Sequence, residues 1–314
     1  MPVSSPIDRF GAMTHNLETP GDESVLIVTG GGGHVGREVC RQLKAVQKRV
    51  VAIDLCLSRA QELISCDLMV RSDVARIFES HPVRAVIHFA AVLPSAFQRD
   101  PLKGADVNFT GSVELLRQAV KMGTKRFVFA SSMSVYGSVS TGSRLTEDDP
   151  TAPDEPYGAS KRAVELVGEA LARANAIEFV SLRIARVVGP GIKQTSSPWR
   201  SDIFETSPGQ QSINIPFAPN ALLSLVHVED VARMLVMLVD IPQMRGSIYN
   251  TPVELWEAHQ LKQVVEEARG IPVELHEGGA DGGPVCDGSR FAREFGFQAR
   301  GTKHFLSARE GRTQ

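Results

Sequence analysis

The stretch Val25-Leu26-Ile27-Val28-Thr29-Gly30-Gly31-Gly32-Gly33-His34-Val35-Gly36 decides the fold. An apolar run of strand length leads into a glycine-rich turn, and apolar residues at helical spacing follow. In such a turn Gly30 tolerates unusual backbone angles, Gly33 lets the backbone approach a pyrophosphate, and Gly36 lets the helix pack on the sheet. The free N–H groups at the start of a helix then favour phosphate. We therefore predict a dinucleotide site formed by Gly30, Gly33, His34, Val35 and Gly36.

Strand-like and helical segments alternate from residue 24 to about residue 190. The predicted strands are 25–29, 49–54, 85–89, 126–130 and 178–183, and the predicted helices are 35–45, 112–122 and 156–174. Such alternation is typical of a parallel sheet covered by helices on both faces. The predicted fold class is therefore α/β, with a doubly wound parallel sheet of the Rossmann type and a smaller C-terminal substrate-binding region.

Asp54 lies at the end of the second predicted strand, close to the distance at which an acidic residue meets the ribose of a dinucleotide. A carboxylate accepts hydrogen bonds from the ribose 2′-hydroxyl and repels a 2′-phosphate. No basic residue stands at Leu55 or Cys56, and Arg59 is the nearest cation. The pattern predicts NAD rather than NADP as the cofactor. The alternative is that Asp54 merely ends a strand.

The chain is expected to divide into three parts. Residues 1–23 are polar and form a flexible N-terminal tail, 24–190 form the NAD-binding domain, and 191–314 form a substrate-binding or lid region interleaved with it. Within that last region, residues 192–224 show little periodicity and are interpreted as an irregular lid or substrate loop. Helical spacing returns over 226–238 and 255–269.

The bulk composition excludes several function classes. The formal net charge is −2, which does not indicate a nucleic-acid or membrane surface. No apolar run approaches the roughly 20 residues of a membrane span, and the N-terminal residues lack the pattern of a signal peptide. The four cysteines lie far apart without Cys-x-x-Cys spacing, so we expect neither a metal site nor a disulfide framework. Free thiols favour a cytoplasmic location.

Tyr157 and Lys161 lie four residues apart on a predicted helix and so share one face. A free tyrosine ionises near pH 10, too high for a base at neutral pH, and a nearby ammonium would lower its pKa. Ser132 follows a strand that should end at the same sheet edge as the glycine turn, where its hydroxyl would hydrogen-bond the reacting oxygen. The sequence therefore predicts Ser132, Tyr157 and Lys161 as catalytic residues. Tyr157 is the expected base, and Lys161 also holds the cofactor ribose.

Taken together, these motifs resemble the extended branch of the short-chain dehydrogenase/reductase superfamily, the NAD-dependent epimerase/dehydratase family. The resemblance covers roughly residues 24–300 and includes Thr29-Gly30-x-x-Gly33-x-x-Gly36, Asp54, Cys66-Asp67-Leu68, His88-Phe89-Ala90-Ala91, Val107-Asn108-Phe109-Thr110-Gly111, Ser131-Ser132-x-x-Val135-Tyr136-Gly137, Tyr157-x-x-x-Lys161, Arg183 and Gly189-Pro190-Gly191. It implies cofactor contacts from Asp67, Leu68, Phe89, Ala90, Ala91, Asn108 and Ile184. It also implies a homodimer packed through helices 106–122 and 156–174. His88 is expected to be a packed histidine rather than a catalyst.

The chain departs from the family pattern in two places that concern the substrate. Met133-Ser134 stands where similar dehydratases carry Asp-Glu, which makes dehydration improbable. Sugar-nucleotide members usually carry an arginine for the diphosphate just before the segment matching 226–230. Here 221–225 reads Ala-Leu-Leu-Ser-Leu. Lys193 or Arg200 could substitute, and the segment 196–204 looks weakly similar to a loop of L-threonine and sugar-acid dehydrogenases.

Arg186 is a further departure, because relatives more often carry an uncharged residue there. A guanidinium could hold a substrate carboxylate through two parallel hydrogen bonds. The alternative is that Arg186 pairs with Glu229 or Asp230. The predicted substrate-binding residues are Ser132, Met133, Ser134, Tyr157, Arg186 and Arg200.

Three functional hypotheses follow. The first is an NAD-dependent oxidoreductase that removes hydride from a secondary hydroxyl of a small sugar, sugar acid or hydroxy acid. The second is a nucleoside-diphosphate sugar epimerase with tightly bound NAD. The third is a cofactor-sensing binding protein without turnover. Retention of both Tyr157 and Lys161 disfavours the third.

Overall fold

A computed structural model describes residues 23–55, 62–191 and 197–307. The strands are β1 (Val25–Thr29), β2 (Val50–Asp54), β3 (Leu63–Ser65), β4 (Val83–His88), β5 (Arg126–Ser132), β6 (Arg144–Leu145), β7 (Glu178–Ile184), β8 (Arg186–Val188), β9 (Ile213–His227), β10 (Ile248–Asn250), β11 (Glu254–Glu257), β12 (Val273–Gly282) and β13 (Val285–Cys286). The helices are α1 (His34–Ala45), α2 (Arg71–Ser80), α3 (Pro94–Arg99), α4 (Pro101–Ala105), α5 (Ser112–Lys121), α6 (Pro156–Ala174), α7 (Trp199–Asp202), α8 (Val228–Asp240), α9 (Ala258–Arg269), α10 (Ser289–Phe295) and α11 (Thr302–Ser307).

The central sheet has seven strands in the order β3-β2-β1-β4-β5-β7-β10, and every neighbouring pair is parallel. Its inner strands are mostly apolar because helices cover both faces of the sheet. Leu26 and Val28 of β1 pack in one core with residues of α1 and α8, whereas Ile27 packs in a second core with residues of α2, α5 and α6. This two-sided burial confirms the predicted α/β, doubly wound fold.

A second, smaller sheet is built around β9. This 15-residue strand pairs antiparallel with β11 and parallel with β12 and β8. The sheet has its own core with α7, α9 and α11, in which Trp199, Leu223, Trp256 and Leu261 are buried. The interpretation of 192–224 as an irregular loop was therefore wrong for 213–224, which belong to β9, and for the short helix α7. Pro216, Pro219 and the surrounding polar residues break the alternation that normally signals a strand.

The predicted strands and helices are present, with bounds that match or are shifted by a few residues. β1 and α6 have the predicted limits, and α1 begins one residue earlier, at His34. The helices predicted over 226–238 and 255–269 begin later, at Val228 and Ala258, because β9 and β11 occupy the preceding residues. The predicted tail lies outside the described residues except for Glu23.

The second half of the chain also contributes to the central sheet. Ile248, Tyr249 and Asn250 of β10 pair with β7 and form one edge of that sheet. In addition, β13 pairs with β6, which joins Cys286 to Leu145 in register. Over the described residues, no helix combines the length and apolarity needed to cross a bilayer.

Candidate active site

The glycine turn between β1 and α1 closes tightly on itself and on the end of β4. Gly30 has φ +66°, a left-handed conformation, and a Cβ there would lie 2.9 Å from the Ala90 backbone nitrogen. A Cβ at Gly36 would lie 2.1 Å from the Gly30 carbonyl oxygen. Phe89 and Ala90 thus border the turn, and the cofactor contacts implied for Phe89, Ala90 and Ala91 stay predictions.

A buried polar chain holds this turn in place. Thr29 Oγ1 lies 2.6 Å from His88 Nδ1 and accepts hydrogen bonds from the backbone N–H groups of Phe89 and Ala90, both at 3.1 Å. His88 Nε2 lies 2.8 Å from Ser112 Oγ. Burial lowers the pKa of His88 to about 3, with the Lys161 charge adding to the effect. His88 is therefore neutral and structural, as expected.

Asp54 reaches the glycine turn from the end of β2. Its Oδ2 accepts a hydrogen bond of 2.9 Å from the Gly32 backbone N–H. The carboxylate therefore lies beside the predicted phosphate site, where an adenosine ribose would be held. Its contact with the ribose stays a prediction.

The Asn108 side chain forms hydrogen bonds with the protein backbone and does not simply face a ligand. Its Oδ1 accepts from the Val92 N–H at 2.6 Å, and its Nδ2 donates to the Val92 carbonyl at 2.9 Å. Asn108 lies in a π-helical turn, Asp106–Gly111, a form found mostly at functional sites. Since both ends of the amide hold the segment after Ala91, Asn108 shapes the cleft wall through Val92.

Asp67 and Leu68 follow β3 at the far side of the same sheet edge. The Asp67 Oδ1 accepts from the Met69 N–H at 2.9 Å, and Leu68 is buried against Gly111. Leu68 therefore contributes mainly to the core. The adenine contacts that the resemblance implies for these two residues stay predictions.

The residues at the turn fit the pyrophosphate of a dinucleotide. Among the described residues, no side chain caps the N-terminus of α1, and its first turn contains no acidic residue. Its N-cap residue is Gly33, so nothing bulky covers the helix end. The first N–H groups of a helix have no intrahelical acceptor and favour an anion. His34 and Val35 open the helix and lie at that position.

Ser132 ends β5 and begins a tight turn over Met133–Tyr136. Its Oγ donates to Ser134 Oγ at 3.1 Å and accepts from the Ser134 N–H at 3.1 Å. Met133 is contacted from the C-terminal region, where the Cys286 thiol lies 3.3 Å from the Met133 sulfur. Ile184 stands opposite Ser132 in the β5–β7 register. The structure thus brings Ser132, Met133 and Ser134 together at the carboxyl edge of the sheet.

Tyr157 and Lys161 project from the first turns of α6 toward this edge. The Lys161 ammonium lies 5.7 Å from the centre of the Tyr157 ring and donates to the Ala130 carbonyl at 2.9 Å. Burial lowers the pKa of Lys161 to about 8, against the Glu165 charge, which raises it.

The expected lowering of the tyrosine pKa is absent from this arrangement. Burial raises the pKa of Tyr157 to about 12, and a hydrogen bond with Ser132 opposes that rise. The physical reason is burial of the phenol, and Lys161, which donates to Ala130, is not among the groups that lower this pKa.

A buried ion-pair network beneath these residues was not predicted. Glu165 is paired with Arg183 through both carboxylate oxygens, at 3.0 and 2.9 Å, and accepts from Ser131 at 2.6 Å. Arg183 also donates to the Tyr136 hydroxyl at 2.8 Å. The available signal was the position of Glu165, four residues after Lys161 and on the same helix face.

Arg186 and Arg200 come close together beside the site without a carboxylate. Arg186 stacks on the Phe217 ring, 4.7 Å from guanidinium carbon to ring centre. The Nε of Arg200 is buried and has no hydrogen-bond partner among the described residues. Burial lowers the pKa of Arg186 to about 10, and the charge of Arg200 lowers it further.

The suggested pairing of Arg186 with Glu229 or Asp230 was wrong. Asp230 pairs with Arg233 at 2.8 Å, and Glu229 lies 3.6 Å from Arg300. In the part of the chain that the structure describes, no ion pair neutralises Arg186 or Arg200. Lys193, which could have substituted for the missing arginine, lies outside the described residues, as does Arg59.

The sequence of residues 26–251 matches the NAD dependent epimerase/dehydratase family. The chain belongs to this family. NAD is thus the cofactor of the family to which it belongs, and the resemblance predicted from the motifs is confirmed.

Sequence relatives and solved structures point to the same group of enzymes. The UDP-glucose 4-epimerase of Lacticaseibacillus casei is 30% identical over 173 residues, which are 52% of each chain. The chain therefore spans about half the length of the curated relatives it matches. The NAD complex of Thermus thermophilus UDP-glucose 4-epimerase is 25% identical, with a TM-score of 0.74 over 90% of this chain and 99% of that one.

A second kind of enzyme shares the fold. L-threonine 3-dehydrogenase of Trypanosoma brucei is 18% identical, with a TM-score of 0.78 over 90% of this chain and 94% of that one. At that identity the likeness concerns the fold alone.

Proposed function

We propose that this protein is an NAD-dependent enzyme that moves hydride to and from a secondary carbinol carbon of an anionic, sugar-type substrate. The observation that carries the proposal is the convergence of Ser132, Tyr157 and Lys161 at the sheet edge that also bears the glycine turn. Each comes from a different strand or helix position, and together they surround one reacting oxygen.

The three side chains divide the proton chemistry. The Tyr157 phenolic oxygen receives the proton of the substrate hydroxyl, and Ser132 donates a hydrogen bond to the same oxygen. Lys161 is held by Ala130 and Phe129 and would contact the cofactor ribose. Bound NAD would supply a hydride acceptor. A positive charge near the phenol would lower the pKa of Tyr157.

Arg186 and Arg200 bind the anionic group of the substrate in this proposal. Two buried guanidinium groups that repel each other are costly unless an anion lies between them. Phe217 holds the plane of Arg186, which leaves its fork of N–H donors for a ligand. The pair thus takes over the role of the cation that the segment 221–225 lacks.

The favoured activity is epimerisation of a nucleoside-diphosphate sugar. The sequence relatives bear the name UDP-glucose 4-epimerase, and Arg186 with Arg200 supplies positive charge suited to a diphosphate. This shifts the balance from the small-acid dehydrogenase, the first expectation from the sequence, to the sugar-nucleotide alternative. In epimerisation, the hydride returns to the opposite face of the same carbon, so no NADH accumulates.

A dehydrogenase acting on a small sugar acid or hydroxy acid remains the second candidate because of one observation. Within β9, residues 221–225 carry no cation, and Leu223 and Leu225 are buried. A planar carboxylate fits a paired arginine fork as well as a diphosphate does. The non-catalytic alternative is disfavoured, since Tyr157 and Lys161 converge with Ser132.

We further propose that the protein forms a homodimer through the helices around α5 and α6. Large apolar side chains are exposed there: Leu102 at 80%, Phe109 at 37% and Leu166 at 51%. Light scattering of the purified protein should give twice the mass of the chain, and Leu166→Glu should give the monomer. A monomeric wild-type protein at micromolar concentration would contradict this proposal.

The two candidate activities are separated by their products. Purified protein with NAD is incubated with UDP-glucose, UDP-galactose and a panel of sugar acids. Sugar-nucleotide isomers are resolved by chromatography while NADH absorbance is followed. Epimer formation without NADH supports the epimerase, and stoichiometric NADH with an acid supports the dehydrogenase. If neither forms although NAD binds, the catalytic assignment fails.

A further inference from the structure

Two histidines lie beneath the strap Gly189–Gly191, which leads from β8 toward α7. A Cβ at Gly189 would lie 3.4 Å from His227 Nε2, and one at Gly191 would lie 4.0 Å from His34 Nδ1. The strap thus lies next to both imidazoles, closer to His227 than to His34. His34 belongs to the cofactor turn and His227 to the second sheet, so the strap spans both parts of the site.

Both imidazoles have a buried ring nitrogen with no hydrogen-bond partner among the described residues, Nε2 in each case. His227 Nδ1 accepts from the Glu229 N–H at 3.3 Å, so the neutral ring carries its proton on Nε2. The ring stacks on Phe305, with centroids 3.5 Å apart, and meets Phe204 edge-on. A second proton would go to Nδ1, which faces the Glu229 N–H donor and would lose its hydrogen bond.

The charges that face the pair come from several elements. His34 faces Arg37 and Glu38 of α1 and Glu205 after α7. His227 faces His34, His304 of α11 and Arg300 before it. Burial is the main cause that lowers the pKa of His34 to about 4 and that of His227 to about 3, and neighbouring positive groups add to it. Glu205 and Glu38 oppose this effect at His34 without reversing it.

The strap also holds Arg200, which binds the anionic group of the substrate in the proposed function on which this inference rests. The Gly189 N–H donates to the Arg200 carbonyl at 3.0 Å, and the Gly191 N–H donates to Glu205 at 2.5 Å. Movement of the strap would therefore move Arg200 relative to Arg186. We propose that His34 and His227 form an acid-sensitive latch that keeps the strap, and with it Arg200, in place only while both rings are neutral.

The sign of the effect follows from proton linkage. The closed strap holds both rings neutral, whereas an open strap exposes them to water, where a histidine ionises near pH 6.5. Protons therefore bind the open form better, and the latch is lost as pH falls below that value. For each ring that opening exposes, the equilibrium constant for strap opening rises about tenfold per unit fall in pH, between roughly pH 6 and pH 4.

Hydrogen–deuterium exchange of the peptide containing Gly189–Gly191 tests the latch on the protein alone, without cofactor or substrate. After correction for the intrinsic exchange rate, protection should fall about a hundredfold from pH 6 to pH 5. His227→Asn keeps an N-cap residue for α8 and removes one titrating ring, so the fall should shrink to about tenfold. The double variant with His34→Asn should show none.

Two matched variants complete the design. His259→Asn changes a half-exposed histidine of α9 and should behave as wild type. His304→Asn removes the other histidine that faces His227. The proposal is overturned if wild-type protection changes less than about threefold, if the double variant keeps the pH dependence, or if His304→Asn alone abolishes it. Circular dichroism at both pH values identifies variants that do not fold. If a variant does not fold, titration of the histidine rings of the wild-type protein by NMR takes the place of that variant's exchange measurement. Rings that titrate near pH 6.5 with an unchanged strap would also overturn the latch.

Discussion

The central sheet and the smaller sheet around β9 encode their structures in different ways. The inner strands of the central sheet are short, mostly apolar runs covered on both faces, and β1 and β4 lead directly into helices. β9 instead runs for 15 residues through Pro216, Pro219 and Asn220, and its register with β12 shifts twice. The first pattern can be recognised in the local sequence, whereas the formation of β9 depends on partner strands that lie far away in the chain.

This difference also separates the two halves of the site. The proposed cofactor half is a contiguous turn, Gly30–Gly36, with Asp54 and the segment after His88 beside it. The proposed substrate half consists of Arg186 and Arg200, which contact Phe217 and the strap, respectively. Changes in the first half should therefore act on NAD, and changes in the second on the substrate.

The largest expected effect comes from Tyr157→Phe, which removes only the phenolic oxygen. Loss of the base should lower kcat on the order of 100-fold or more, while the ring still packs and NAD still binds. Steady-state kinetics and NAD titration measure the two quantities. Tyr249→Phe, which removes a hydroxyl from β10, is the matched control and should leave kcat nearly unchanged. A Tyr157→Phe enzyme with more than a few percent of the wild-type rate would show that another group is the base.

A matched pair of glycines gives the most direct test of the two-region comparison. A Cβ at Gly36 would lie 2.1 Å from the Gly30 carbonyl oxygen, and one at Gly282 would lie 2.0 Å from the Leu222 carbonyl oxygen. Gly36→Ala should therefore weaken NAD binding at least about tenfold by displacing the pyrophosphate turn. Gly282→Ala should leave NAD affinity near wild type and raise the substrate KM.

Gly278→Ala is the control for both, because no heavy atom lies within 4 Å of its Cβ position. Isothermal titration with NAD and substrate kinetics on the three variants give the comparison. Equal loss of NAD affinity in Gly36→Ala and Gly282→Ala would mean that the two regions behave as one unit.

The parts of the site that could be predicted are those with a local physical reason. Gly30, Gly33 and Gly36 must be small where the chain turns between a strand and a helix, and Tyr157 with Lys161 must share a helix face. Both requirements can be recognised from spacing alone. The same holds for the five inner strands of the central sheet, whereas the short edge strands β3 and β10 were not predicted.

The remaining features depend on contacts between distant residues. Nothing in the local sequence shows that Asn108 grips Val92 or that Glu165 binds Arg183. The pKa of Tyr157 also depends on distant contacts, since burial by the surrounding elements raises it. The strand within 192–224 was missed because its hydrogen-bonding partners, β11 and β12, follow it by tens of residues.

Arg186→Lys tests the substrate half with a smaller expected effect. The charge remains, but the planar fork and the stacking on Phe217 are lost, so KM for the anionic substrate should rise roughly tenfold. NAD affinity should stay within experimental error of wild type. Arg233→Lys changes an arginine that already has a carboxylate partner, Asp230, and serves as the control for a surface ion pair. If Arg186→Lys is silent, the anion does not lie between the two arginines.

The smallest expected effect is on cofactor preference and comes from Asp54→Ala. In the wild type, the carboxylate should repel a 2′-phosphate, so NAD should bind more tightly than NADP. The variant removes that repulsion and also the bond to the Gly32 N–H, which loosens the turn for both cofactors. Affinity for NAD should therefore fall by several-fold while affinity for NADP changes less, so the gap between them narrows. Asp54→Asn separates the two causes, since its amide oxygen still accepts from Gly32 but carries no charge.

If Asp54→Asn narrows the gap as much as Asp54→Ala does, repulsion of the phosphate is the cause. Tighter binding of NADP than NAD by the wild type would mean that Asp54 does not face the ribose.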